Sequence, residues 1–184
     1  MPITSLPCLL LALTLLPIAA EAAPAAGARD FDFLHGDWTV HNRRLKERLR
    51  GSREWETFEA TSRCVSLLDG LGNQDEFRSP ARPGFVGMSL RFFDPAARRW
   101  SIFWVDNRTG VLQPPVVGGF EGEVGRFEGD DELRGQRIRV RFSWTLVHSG
   151  HPRWEQAFSA DGGKTWETNW VMDFTRPDAG AAAP

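Results

Sequence analysis

The chain predicts an all-β fold, a single antiparallel up-and-down β-barrel of about nine to ten strands. Three observations carry this. In the long runs Gln136–His148 and Trp166–Thr175, apolar and polar residues alternate at period two, which places them on opposite faces of a strand and would scatter them around a helix. Short Gly-, Asp- and Pro-bearing clusters punctuate the chain, with no long helical period between them. The first candidate strand opens at Gly36-Asp37-Trp38 and the last ends at Arg176, so the two ends can pair and close the sheet.

The first segment stands apart from the fold. Leu6–Ala20 is almost wholly apolar and is followed by Ala20-Glu21-Ala22, a small-x-small cleavage pattern. Met1–Ser5 lacks the usual basic residue, but the apolar run is shorter than the roughly 20 residues a spanning helix needs. Residues 1–22 therefore read as a signal peptide, which predicts a periplasmic or secreted protein with no membrane association after cleavage. Cleavage removes Cys8 and leaves Cys64 without an internal disulfide partner. No His lies near Cys64 in sequence, so it reads as a small buried apolar residue.

Residues 23–29 form an Ala/Pro/Gly linker, the domain spans 30–176, and 177–184 are expected to be a disordered tail. Asp30–Leu34 is an amphipathic lead-in of about one helical turn. Strand one runs from about Asp37 to Lys46 and continues into a basic run, Arg43, Arg44, Lys46, Arg48, Arg50 and Arg53. Both flanks alternate like strands, so the run is placed on a hairpin turning at Arg50-Gly51-Ser52. It is read first as a solvated face, with an anion site or acidic partner as the alternative.

Glu54–Leu68 supplies the second strand, Asp69–Asn73 a turn, and Asn73–Arg78 a short strand. Val86–Phe93 puts Met88, Leu90 and Phe92 on one face and turns through Asp94–Ala97 into Arg99–Asp106. Val116–Glu128 reads as two short strands about Gly122-Glu123, with a turn at Asp130–Gly135. In Gln136–His148, residues Ile138, Val140, Phe142, Trp144, Leu146 and His148 share a face. Arg153–Ser159 returns with Trp154, Gln156 and Phe158 alternating. The final strand sets Trp166, Thr168, Trp170, Met172 and Phe174 against Glu167, Asn169, Val171, Asp173 and Thr175.

Two stretches carry a family resemblance. Phe31–Trp38, with its Gly36-x-Trp38, resembles the opening of calycins, the superfamily of lipocalins and related small-ligand barrels. The resemblance implies that Trp38 plugs the closed end and that Arg176, after the last strand, lies across it. NRRLKERL (42–49), REWETFEAT (53–61), LLDGLGN (67–73), FDP (93–95), PPVVG (114–118) and RWEQAFSADGGKTWETNW (153–170) resemble an uncharacterised bacterial family of about this length. That likeness implies a calycin-like barrel and no catalytic residue. Ser159–Trp166 also fits the Asp box of sialidase propellers, Ser-x-Asp-x-Gly-x-Thr-Trp. One copy in a chain this short is a turn device: Asp caps the turn, Gly takes special backbone angles and Trp packs beneath.

Eight Trp and thirteen Phe supply wall material for a cavity, and a formal charge of -2 gives no general pull toward nucleic acid. His35 and His41, and His148 and His151, lack the spacing of a helical zinc pair, so no metal and no cofactor is assigned. If Trp38 faces inward, Trp144, Trp154, Trp166, Trp170 and Phe174 do too, with His148, Gln156 and Asn42 as polar groups. That describes a site for a small hydrophobic or aromatic ligand. Three functions stay open: a binder, an enzyme with His148 as acid or base, and a filled structural or interaction module using the basic hairpin. A polar cluster in an open cavity favours the enzyme, an apolar cavity the binder, and a filled barrel the module. The sequence carries no signal for oligomeric state. On export, the expected outcome is that N-terminal sequencing of protein from the host's envelope fraction begins near Ala23; intact Met1 on a soluble cytoplasmic protein would defeat it.

Overall fold

The structure is a computed structural model that describes residues 25–177. The leader assigned to 1–22 and all of the tail but Pro177 lie outside the described residues. Ten strands follow in order: β1 (Gly36–Leu45), β2 (Trp55–Leu67), β3 (Gly72–Arg78), β4 (Val86–Asp94), β5 (Arg99–Asp106), β6 (Val116–Glu121), β7 (Val124–Leu133), β8 (Gln136–Thr145), β9 (Arg153–Ser159) and β10 (Glu167–Thr175). Each pairs antiparallel with the next, and β10 returns to β1, closing the barrel. In that closing ladder Val40 faces Phe174, Asn42 faces Met172 and Arg44 faces Trp170. Among the described residues the helical pieces are two 3-10 turns, Asp32–Leu34 and Leu68–Gly70.

Alternation sends one residue in two inward. Trp38, Val40 and Asn42 of β1 are buried, as are Phe58, Ala60, Ser62 and Cys64 of β2. One end of the barrel is stoppered by the chain ahead of β1. The Phe31 ring there meets Trp100 and Phe120 edge-on at 5.0 Å and stacks on Phe127 at 5.5 Å. Gly27 accepts a hydrogen bond from the Trp100 indole at 2.9 Å, and Ala28 is buried. The expected 23–29 linker is thus, from residue 25 on, part of this stopper, because its small side chains fit between the aromatic rings.

Trp38 and Arg176 meet as the resemblance implies. Arg176 Cζ lies 3.5 Å from the Trp38 ring centroid, while the indole Nε1 donates to the Leu34 carbonyl at 2.7 Å. Arg176 also donates to the carbonyls of Phe33, His35 and Asp37. One guanidinium therefore joins the stopper, the first strand and the last. Gly36 makes room for it: its φ is +98°, and a Cβ there would sit 3.0 Å from Arg176 Nη1.

Four local differences from the sequence reading matter. β7 runs through the expected turn at 130–135, because Asp130 and Glu128 pair with Arg139 across the outer face at 3.4 and 3.1 Å. Its turn is Arg134-Gly135, both at positive φ, the hairpin geometry matched to strand twist. β8 stops at Thr145, since Leu146 takes φ +57°; Leu146 and His148 become exposed and Val147 is buried. A bulge between Thr168 and Trp170 breaks the alternation of β10, so Asn169 is buried along with Met172 and Phe174. Trp166 ends up on the outside, beneath Arg141 at 4.2 Å.

The Asp-box residues form the β9–β10 turn. Asp161 accepts hydrogen bonds from the backbone of Lys164 and Thr165 and from the Thr165 hydroxyl, and Trp166 Nε1 donates to Gly163. These bonds, with one from Ser159, hold its carboxyl well below the usual aspartate range. Replacing Arg176 with Ala removes the stacked cation and its carbonyl bonds. The expected result is a loss of about 1 kcal/mol in stability, read by denaturant unfolding; an unchanged midpoint would remove the pair's role in closure.

Candidate functional site

Below the aromatic stopper the barrel is hollow. The cavity measures about 400 Å3 and opens at the end away from Phe31. Its wall comes from alternate residues of nearly every strand, so its chemistry is set by which face of each strand turns inward.

The indoles from the last three strands line it. Trp154 of β9 packs edge-on against Phe142 at 4.9 Å and against Trp170 of β10 at 5.7 Å. Edge-on arrangements place the positive ring edge against the negative ring face, which favours fixed positions. Gln156 also lines the cavity and donates to buried Asn169 Oδ1 at 2.8 Å. Trp144 lines it from the stoppered end, in contact with Phe33 and Phe174. Four of the six expected ligand-binding residues, Trp144, Trp154, Gln156 and Trp170, thus come together around one space.

The other two do not. Asn42 is wholly buried behind Trp170, whose Nε1 donates to its Oδ1 at 3.0 Å, so it positions the indole and does not face the cavity. His148 lies beyond β8 and is exposed, because positive φ at Leu146 shifts the alternation by one. The expected acid or base at His148 is therefore corrected: it has no access to the cavity wall. The inward placement of Trp166 is corrected likewise.

Sequence reading missed a set of inward polar residues. On β4 the apolar Met88, Leu90 and Phe92 lie on the opposite face from Ser89 and Arg91, and it is the latter two that line the cavity. Asp75 and Asn73 come from the inward face of β3. Arg91 Nη1 lies 2.5 Å from Asp75 Oδ1 and donates to Asn73 Oδ1 at 2.9 Å. The ion pair is close but poorly aligned: Asp75 Oδ1 and Arg91 Nε have no aligned hydrogen-bond partner among the described residues, nor does Trp144 Nε1. Arg91 also covers the Phe31 ring at 5.2 Å. Its signal in the sequence was parity alone, and the apolar run beside it hid that signal.

Cys64 lines the same region. Burial pushes its thiol up to about 12, and neighbouring Asp75 adds to this while Arg91 opposes it. Such a thiol stays protonated at neutral pH and is a poor nucleophile.

At the open end the basic run divides. Arg43, Lys46, Arg50 and Arg53 are exposed, but Arg44 and Arg48 turn inward and line the cavity with Arg82. The run is thus not one solvated face. Arg44 and Arg82 share a single oxygen of Glu56; Arg44 Nε lies 2.9 Å and Arg82 Nη2 3.0 Å from it. Aromatic faces hold the guanidiniums in place: Arg44 lies 5.3 Å from Trp170 and Arg82 lies 4.9 Å from Phe58. Arg48 sits on the loop Lys46–Glu54, which Leu49 ties down by donating its N–H to Glu167 at 2.7 Å.

Neither a scan against protein-family models nor a search of curated proteins finds a match to the chain.

The Arg91–Asp75 pair makes a measurable demand on stability. Arg91→Met leaves a buried carboxylate uncompensated and should cost about 3–5 kcal/mol. Adding Asp75→Leu should recover much of that loss, since both charges are then gone. Denaturant unfolding of the two single variants and the double checks it; additive losses would show that the two side chains act independently.

Proposed function

We propose that this chain is an exported, calycin-like barrel that binds a small hydrophobic or aromatic molecule non-covalently in its interior. The observation that carries the reading is the cavity of about 400 Å3 whose wall includes Trp154, Trp170, Phe142, Phe58 and Phe158. A volume of this order is within the range of small-molecule sites, and the wall combines many aromatic rings with a comparable share of polar and charged groups. Burying an apolar ligand against such a wall contributes roughly 25 cal/mol per Å2 of apolar area removed from water. The Trp38–Arg176 contact supports the calycin likeness, and the apolar leader run supports export.

A polar cluster in the open cavity was the feature that would favour catalysis, and Arg91, Asp75, Ser62 and Cys64 form one. Its charges, however, face one another, with Asp75 Oδ1 and Arg91 Nε left without an aligned hydrogen-bond partner among the described residues. Arg91 faces Asp75 and Asn73, the Ser62 hydroxyl lies at 3.5 Å from Asp75, and the Cys64 thiol is held protonated by burial. A general base must reach a substrate proton and sit near its operating pH. Binding asks only for the shape and apolar wall, and these favour it over the enzyme reading. The cavity likewise weighs against a filled structural module.

The test is a fluorescence titration with N-phenyl-1-naphthylamine, a neutral apolar probe. Saturable binding with a Kd on the order of micromolar and altered Trp emission are expected. Trp154→Ala should weaken binding more than Trp55→Ala, since Trp55 is 39% exposed on the outer wall under Arg43. No saturable binding would remove the proposal.

A further inference from the structure

The two ends of the cavity differ in how their charges are matched. Near the stopper Arg91 is matched by Asp75. At the mouth Arg44, Arg48 and Arg82 surround one carboxylate, Glu56, and only Arg44 and Arg82 contact it. Arg48 makes no ion pair or hydrogen bond within 4.0 Å and 3.5 Å, respectively, among the described residues. Its guanidinium lies over the Phe158 ring at 5.8 Å, half-buried on the cavity wall. Burial, with Arg44 and Arg134 nearby, pulls its pKa below the usual arginine value, while Glu56 and Glu167 act on it only from a distance. Asp106, Arg108, Asp131 and Glu132 also line the cavity, and none of these three carboxylates lies in ion-pair contact with Arg48.

A half-buried guanidinium without a partner is costly, and it is most simply satisfied by an anion. Its planar fork suits a carboxylate, which it can hold through two parallel N–H donors. The loop that carries it is pinned through Leu49 to Glu167, and Leu49 holds φ +55°. The cation is therefore placed before any ligand arrives. Continuous with it, Phe58, Trp154, Trp170 and Phe142 offer apolar wall deeper in the barrel.

We infer that the ligand is an amphipathic organic anion, its apolar body between the cavity indoles and its carboxylate head at the mouth against Arg48, flanked by Arg44 and Arg82. This rests on the cavity-binding reading and adds the class and orientation of the ligand. The matched pair Arg91–Asp75 leaves the deep end without net charge, so the head stays at the mouth.

The experiment displaces bound N-phenyl-1-naphthylamine with three competitors sharing one chain: dodecanoate, dodecanol and dodecyltrimethylammonium. Dodecanoate should displace the probe at about tenfold lower concentration than the other two. The advantage should shrink as salt is raised. Arg48→Gln should abolish most of the preference when each competitor is scaled to the variant's own probe affinity, with a cooperative unfolding transition showing that the variant is folded; Arg48→Lys should keep part of it. If the probe binds but dodecanoate and dodecanol compete equally, or Arg48→Gln leaves the preference intact, the inference is overturned and the cavity reading stands. If the probe itself does not bind, both fall.

Discussion

Closure between the first and last strands is the constraint on which the rest of this molecule depends. An open ten-stranded sheet would leave two edges of unpaired N–H and C=O groups, and pairing β1 with β10 removes both. The contact joins residues far apart in sequence, so its loop-closure entropy must be offset locally. Arg176 supplies part of that offset. Its guanidinium stacks on Trp38, while three carbonyls ahead of and within β1 receive its protons. Gly36 permits this approach through both its positive φ and its missing Cβ.

Closing the sheet also forces every strand to choose an inner face, and that choice sets the chemistry of the interior. The stopper end is packed by Phe31, Trp100, Phe120 and Phe127. Further along, small inward residues open the space. Ser62, Cys64 and Ser89 face it, and Gly87 lies where a Cβ would collide with the Trp104 ring at 2.2 Å.

Charge inside a barrel carries a desolvation cost, and this fold meets it differently at its two ends. Arg91 and Asp75 are both almost fully buried and offset each other, with Asn73 as a third member. At the mouth the arginines lie over aromatic rings, where the ring quadrupole partly replaces water. The same residues that shape the cavity wall thus hold the guanidiniums in position. Asp161 shows the contrasting surface solution: an exposed carboxylate whose partners are all in its own turn, which shapes the β9–β10 connection without touching the interior.

The sequence by itself determined the strand list and most of the turns, because period-two alternation and Gly/Asp clusters are local properties of the chain. Trp144, Trp154, Gln156 and Trp170 were readable as cavity residues for that reason; the Trp38–Arg176 pair was implied by resemblance alone. The tertiary structure decided the rest. One positive φ at Leu146 put His148 into solvent, one bulge at Asn169 put Trp166 outside, and β4 turned Arg91 inward in spite of its apolar neighbours. A strand's period says which residues share a face, but not which face meets the interior. That depends on the ladder each strand joins, and a single extra residue or left-handed backbone step reverses it.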